Sequence, residues 1–244
     1  MKYLKNHPFA VKAYFKESVV LTYALPKSTL ERFIPGKLSL DSFQDEWAFI
    51  AVAMVDTTAL RPAGFPEFLG RNFFLIGYRI FVRYTDLRGK SLRGLYILKS
   101  ETNKKSMEML GNIFTNYQYT TTDIQQIHLN NQKIISSRKS GFQVKIGTKN
   151  EEVTLPESSP FSNWKEARKF AGPLPHTFNV HEANREVLII RGLRQNWTPQ
   201  PIPVLEHHFE FLKNQGLEQA RLASAFRIEN IPYHWEKGRI DKWS

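Results

Sequence analysis

The chain has no cysteine. A disulfide framework, a thiolate metal site and a cysteine nucleophile are therefore all excluded. Long apolar runs are missing too: the longest, Trp47 to Val55, is far too short to cross a bilayer as a helix. The basic stretch from Met1 to Ala13 is interrupted by Asn6, His7 and Pro8, so it lacks the apolar centre of a signal peptide. Cytoplasmic residence, with no membrane partner, is the expectation. There is no Gly-x-Ser-x-Gly turn for a serine nucleophile, and Gly70 and Gly77 stand isolated rather than in a phosphate-binding loop. The histidines make no HExxH pattern: His176 and His181 are five apart, and His207 and His208 are adjacent. Neither a metal nor a cofactor is expected.

Aromatic residues are plentiful, with 18 Phe, 9 Tyr and 5 Trp in 244 residues. They favour a substantial core and suit strands better than a helical bundle. No repeat or low-complexity linker interrupts the chain, so a single domain spanning 1–244 is the economical reading. The net charge of +11 is partly local. Between Arg61 and Lys105 ten basic residues meet only three acids, Glu67, Asp86 and Glu101. Such an excess is compatible with a solvated basic face, an acidic small molecule or nucleic acid. Nucleic acid ranks last, because these basic residues are spread through segments that also carry the core.

Residues Val11 to Tyr23 read as a strand, and Lys27 to Phe33 as a short helix stopped by Pro35-Gly36. Trp47 to Val55 is apolar almost throughout, as in a strand buried on both faces. From Phe73 to Tyr84 strict alternation gives one aromatic and apolar face and one carrying Arg79 and Arg83. A turn over Asp86 to Lys90 leads into a strand, Leu92 to Glu101, with Arg93, Lys99 and Glu101 on one face, where they could pair with the arginines across the ladder or leave them to Asp86. Asn103 to Phe114 has helical spacing, with Thr102 or Asn103 as cap. Tyr117 to Leu129 and Lys133 to Lys139 form a hairpin about Asn130-Asn131. A second hairpin is expected from Phe142 to Ile146 and Glu152 to Leu155, around Gly147 to Asn150. Trp164 to Phe170 suggests a helix and Glu186 to Leu193 a strand. Pro203 to Lys213 is expected as a helix ended by Gly216, with His208 packed beside Phe209 and His207 facing water. Leu222 to Ile228 closes the chain as a strand, followed by Pro232 to Trp235.

Three stretches carry a family resemblance: VLTYALPKSTLERFIPGKLSL (Val20 to Leu40) followed by WAFIAVAMVDTTAL, then Tyr78-Arg79 leading to GLYILKSE, then LASAFRIENIPYHW. In order and spacing they resemble the acetoacetate decarboxylase-like superfamily, and the last is similar to its uncharacterised YqjF-like branch. The resemblance implies a mainly β, α+β fold: a distorted closed β-barrel with a few flanking helices, an interior pocket and often a homo-oligomer. It also implies a catalytic lysine that forms a Schiff base with a β-keto acid, its pKa lowered by a second lysine beside it. That pair would fall near Phe114 to Tyr119, where this sequence has no lysine; the YqjF-like branch has an aromatic residue there as well. The family's early arginine meets Lys16, one of its glutamates falls near Ile50 and is lost, and Glu67 is the acid nearest the other. The doublet Lys104-Lys105, three residues after Glu101, is the one alternative lysine source, against a solvated first helical turn.

These readings converge on a pocket for a small anionic ligand, expected to bear a carboxylate. Its polar wall is Lys16, Glu67, Tyr78, Arg79, Glu101, Tyr117 and Tyr119, since a guanidinium above an aromatic floor binds a planar carboxylate through two parallel hydrogen bonds. Whether a reaction is catalysed is left open. If one is, acid–base or electrostatic chemistry is expected, and a Schiff-base lyase using Lys104 or Lys105 is the rival. Cyanoborohydride reduction with acetoacetate or pyruvate, read by intact mass and peptide mapping, separates the two. No adduct is expected beside a labelled decarboxylase control, and an adduct on either lysine would establish the lyase.

Overall fold

Strand-forming residues are densest between positions 11 and 102, and there the chain runs up and down in four long strands. In the computed structural model, which describes residues 2–148, 152–172 and 174–243, β1 (Val11–Pro26) passes through α1 (Lys27–Glu31) and β2 (Ser39–Leu40) to β3 (Trp47–Pro62), β4 (Arg71–Thr85) and β5 (Ser91–Thr102). Next come α2 (Lys105–Phe114), β6 (Tyr119–Thr121), β7 (Gln125–Leu129), β8 (Gln132–Ser137) and β9 (Phe142–Gly147). The remainder is α3 (Trp164–Ala171), β10 (His176–His181), β11 (Glu186–Arg194), β12 (Gln200–Pro201), β13 (Val204–Phe209), α4 (Glu210–Asn214), β14 (Arg221–Trp235) and β15 (Arg239–Lys242).

The main sheet runs β14-β1-β3-β4-β5-β10-β11, and β11 pairs again with the end of β14, so the path closes into a ring. The closing contacts are Gly192 with Trp235, Leu193 with His234 and Arg194 with Tyr233. Apart from the parallel β5–β10 pair, neighbours in the ring are antiparallel. The fold is thus mainly β, a distorted barrel-like ring with flanking helices. A separate four-stranded sheet, β13-β9-β8-β7, packs on its outer face. There Tyr23, Ile50, Met54 and Tyr78 of the ring share one apolar cluster with Ile135, Phe142, Val144 and Phe209. Burying each such side chain contributes about 1.5–3 kcal/mol, which is what holds the two sheets together. Strand β3 is buried on both faces from Ala48 to Val55, because its other face lines the ring interior. No helix among the described residues is long and apolar enough to cross a membrane.

Several local expectations change. The segment 203–213 is not one helix. Val204–Phe209 pairs with β9 as a strand, and only Glu210–Asn214 is helical. Its apolar residues fit a helical period, but Leu205 is an extra, unpaired residue in the ladder. That bulge scrambles the two-residue alternation that would have marked a strand. Strand β9 therefore pairs with β13, and Glu152 to Leu155 has no strand structure; the turn expected at Gly147 to Asn150 extends outside the described residues. His207 is exposed as expected, while its ring also hydrogen-bonds the Tyr23 hydroxyl at 3.0 Å. His208, expected to pack beside Phe209, is exposed too, 3.3 Å from Glu210. Helix α2 begins at Lys105 without a side-chain cap, because the Asn103 Oδ1 accepts instead from the Phe74 N–H at 2.8 Å. Helix α1 ends two residues earlier than expected, at Glu31.

The charge pattern of β5 also differs. Arg79 pairs with Ile97 and Tyr78 with Lys99, so Leu98 is an extra residue. This bulge reverses the facing of everything beyond it. Arg93 and Ile97 share the face of Arg79, whereas Lys99 and Glu101 share that of Tyr78. Arg83 lies directly opposite Arg93, a repulsive placement offset by the fully buried Asp41. Its two oxygens accept from the Arg83 and Arg93 Nε atoms at 2.7 and 2.6 Å. Asp41, rather than Glu101 or Asp86, is thus the partner of Arg83.

The segment before β1 is anchored by His7, which is buried; its N–H donates to the Phe114 carbonyl and its own carbonyl accepts from Gly238. Burial lowers its imidazole pKa from 6.5 to about 4. The unfolded chain therefore binds a proton between those values that the fold refuses, so stability falls as pH drops through this window. The expected loss is about 3 kcal/mol from pH 7 to below 4. Denaturant titrations across this range should show the loss, and His7→Gln should flatten it.

Candidate functional site

The inner face of the ring is lined by small residues where two strands meet. Ala51 is the cross-strand partner of Arg79, and Ala53 that of Gly77. Larger side chains there would fill the interior; instead a cavity of about 130 Å³ remains. Aromatic rings wall it, among them Phe15, Phe81, Tyr117, Tyr119, Phe226 and Tyr233. Exposed Arg168 of α3 also lines it and marks the side open to solvent.

Arg79 projects into this cavity from the middle of β4. Protein encloses its guanidinium, and the surface it retains faces the cavity that it lines. Its Nε has no hydrogen-bond partner, and no carboxylate of the described residues comes within ion-pairing distance. A charge removed from water without a partner is costly. Burial accordingly lowers the Arg79 pKa; the nearby tyrosines oppose this shift, and Arg194 adds to it. Burial likewise pushes the Tyr119 hydroxyl up to about 12, against the pull of Arg79. It raises Tyr117 further still, so both phenols are neutral donors at ordinary pH. The Tyr117 hydroxyl lies beside Thr177 but outside hydrogen-bonding geometry.

Three glycines make this arrangement sterically possible. A Cβ at Gly77 would meet the Arg79 Nε at 2.9 Å, so the guanidinium lies folded over that glycine. The ring of Tyr119 rests on Gly111 in the same way, and the Tyr233 hydroxyl on Gly192.

Of the residues expected to line a pocket, the structure brings Arg79, Tyr117 and Tyr119 together. Tyr78 and Glu101 lie on the opposite face of the sheet, as strand alternation and the Leu98 bulge dictate. There the Tyr78 hydroxyl is buried without a partner, its pKa raised by burial and by the charge of Glu101. Glu101 accepts from Lys99 at 2.9 Å and from Ser140 at 2.5 Å. Lys16 is exposed at a bulge of β1. Glu67 is exposed in the loop before β4, 3.6 Å from Arg61. Lys104 and Lys105 are both exposed, and Lys105 pairs with Glu108 at 2.7 Å. No lysine is among the residues lining the cavity. Among the described residues, no three histidine, aspartate or glutamate side chains gather as a metal site requires.

Sequence reasoning passed over Arg194 and Trp197, which meet at the end of β11 with the guanidinium 4.4 Å above the indole ring. The signal was an arginine three residues before a tryptophan in a polar loop, a spacing that gains meaning only once the ring has closed beside it.

By backbone architecture the chain has an acetoacetate decarboxylase-like fold. It is similar to acetoacetate decarboxylase from Legionella pneumophila (TM-score 0.63, 9% identity, 96% of this chain and 87% of that one). It is also similar to the enduracididine biosynthesis enzyme MppR complexed with the condensation product of pyruvate and imidazole 4-carboxaldehyde (TM-score 0.57, 10% identity, 97% and 91% covered). A third likeness is to an acetoacetate decarboxylase-like enzyme from Sphingomonas wittichii (TM-score 0.56, 10% identity, 99% and 95% covered). Comparison with curated proteins gave no match. Residues 12–240 match the model of DUF2071, described as an uncharacterized conserved protein, and the chain belongs to that family.

The Arg79→Met variant is expected to be more stable than the unliganded parent, by about 1–3 kcal/mol, because it removes a largely enclosed, unpaired charge and keeps its bulk. Urea denaturation of both proteins checks this, and a loss of stability would show that Arg79 serves the fold.

Proposed function

We propose that this protein binds a small carboxylate-bearing organic molecule inside the ring, with Arg79 as its anchor. The observation that carries this reading is the enclosed guanidinium with no acid of its own. A site that keeps a buried positive charge unpaired is preorganised for an anion, because the ligand supplies the missing partner. The aromatic walls suit the apolar part of such a molecule, and neutral Tyr117 and Tyr119 suit its oxygens. That MppR, which shares the fold, is found with a product of pyruvate agrees with an organic acid.

Any chemistry here proceeds without a Schiff base, since the lining offers no amine. The groups present can stabilise negative charge that develops on a bound acid: Arg79 by its charge, and the two phenols by donating hydrogen bonds. Removing either kind of donor should then affect turnover and binding to different degrees.

Thermal denaturation in the presence of monocarboxylates of increasing size is the direct test. Binding should raise the melting temperature in proportion to the logarithm of ligand concentration. The shift should vanish in Arg79→Gln and change little between low and moderate salt. A nucleic-acid ligand would instead lose affinity steeply over the same salt range. Shifts that persist in Arg79→Gln would refute the assignment.

A further inference from the structure

The cavity holds a second guanidinium. Arg194 lines it at the end of β11, with Nη2 donating to the Leu174 carbonyl at 3.0 Å and its plane over Trp197 and Tyr233. Its Nε, like that of Arg79, is buried without a partner, and so is the Trp197 Nε1. Three of the unpartnered polar atoms around the cavity can therefore only donate. The others, the hydroxyls of Tyr117 and Thr22, can also donate. No aspartate or glutamate lines the cavity. The two positive charges disfavour each other, as the effect of Arg194 on Arg79 shows.

A single carboxylate would neutralise one guanidinium and leave the other uncompensated. Building on the carboxylate reading above, we propose that the ligand is a short dicarboxylate. One end meets Arg79 within the ring, and the other meets Arg194 with the Trp197 N–H near the opening. The volume of about 130 Å³ limits the ligand to roughly the bulk of one six-membered ring, similar to engineered cavities that admit benzene. Longer acids would have to extend past Arg168. A lining with two guanidinium groups and no carboxylate also selects against amines and amino acids, whose ammonium group would meet like charge and no acid.

Trp197 and Trp235 both line the cavity, so their fluorescence reports occupancy without any assumed reaction. The probes are malonate, succinate and glutarate, each matched to the monocarboxylate of equal chain length: propionate, butyrate and valerate. At least one dicarboxylate is expected to bind about tenfold or more tightly than its match, the worth of one further charge-assisted contact. That advantage should disappear in Arg194→Gln, which should bind each dicarboxylate no more tightly than its matched monocarboxylate. Trp197→Phe keeps the aromatic platform, removes the N–H and should lose part of the advantage; Trp235 then carries the signal. Near-ultraviolet circular dichroism verifies that each variant is folded. Equal affinities within every pair, or an advantage that survives Arg194→Gln, would overturn the dicarboxylate inference and leave the Arg79 reading standing. If neither series binds, both readings fall together.

Discussion

Strand β14 pairs with β1 along most of its length, with the short β12 at Phe226 and Arg227, and with β11 at its last three paired positions, Tyr233 to Trp235. The pairing with β11 turns an open, twisted sheet into a ring, and everything about the interior depends on it. Without it Tyr233 and Arg194 would have no fixed relation to Arg79, and the inner face of β3 would be solvent-exposed. Ring closure also covers the strand edges of β11 and β14 at these three positions, while β15 pairs the earlier part of β11 and β12 pairs β14 at Phe226 and Arg227. The outer face needs a different solution, and the four-stranded sheet supplies it by burying Tyr23 and Tyr78 against Phe209.

The interior is where the fold accepts a cost. Several buried ionic groups among the described residues are satisfied: Asp41 between two arginines, Lys133 with Glu17, Glu101 with Lys99. Arg79, like Arg194, has no such acid partner; it is held in place by a glycine beneath it and an alanine opposite. Nothing in the packing demands a guanidinium there, since a hydrocarbon of similar length would fill the same space at lower cost. Such local departures from consistency are expected where a protein meets a ligand.

How much of this could be read in advance varies with the physics. Strand β4 was legible because one face is uniformly apolar, so its period of two is undisturbed. The hairpin at Asn130-Asn131 was legible from its turn chemistry, and the ladder pairs Leu129 with Gln132 about it. Pro203 to Lys213 was not, because a bulge at Leu205 leaves spacing that imitates a helix. The end of that segment was, since Gly216 adopts a positive φ of 68° where the short helix stops. Arg79, Tyr117 and Tyr119 stood out as an aromatic and arginine set, and they do meet. Tyr78 was grouped with its neighbour, although adjacent strand residues point to opposite faces. Arg194, at the end of β11, and Trp197, in the loop after it, lie more than 100 positions away from Arg79, and only ring closure makes them neighbours.

The extra residue at Leu98 decides which chemistry faces inward. With regular pairing from Ile97 onward, Lys99 and Glu101 would point into the ring and Ser100 away from it. The cavity would then hold an amine and a carboxylate beside Arg79, a set suited to proton transfer and covalent capture rather than to holding an acid. The same amino acids, offset by one position in their pairing, would make a different reagent. In this fold the chemistry a strand presents to the interior is therefore encoded partly in where its register slips, a quantity that comparison of residue identities alone does not measure.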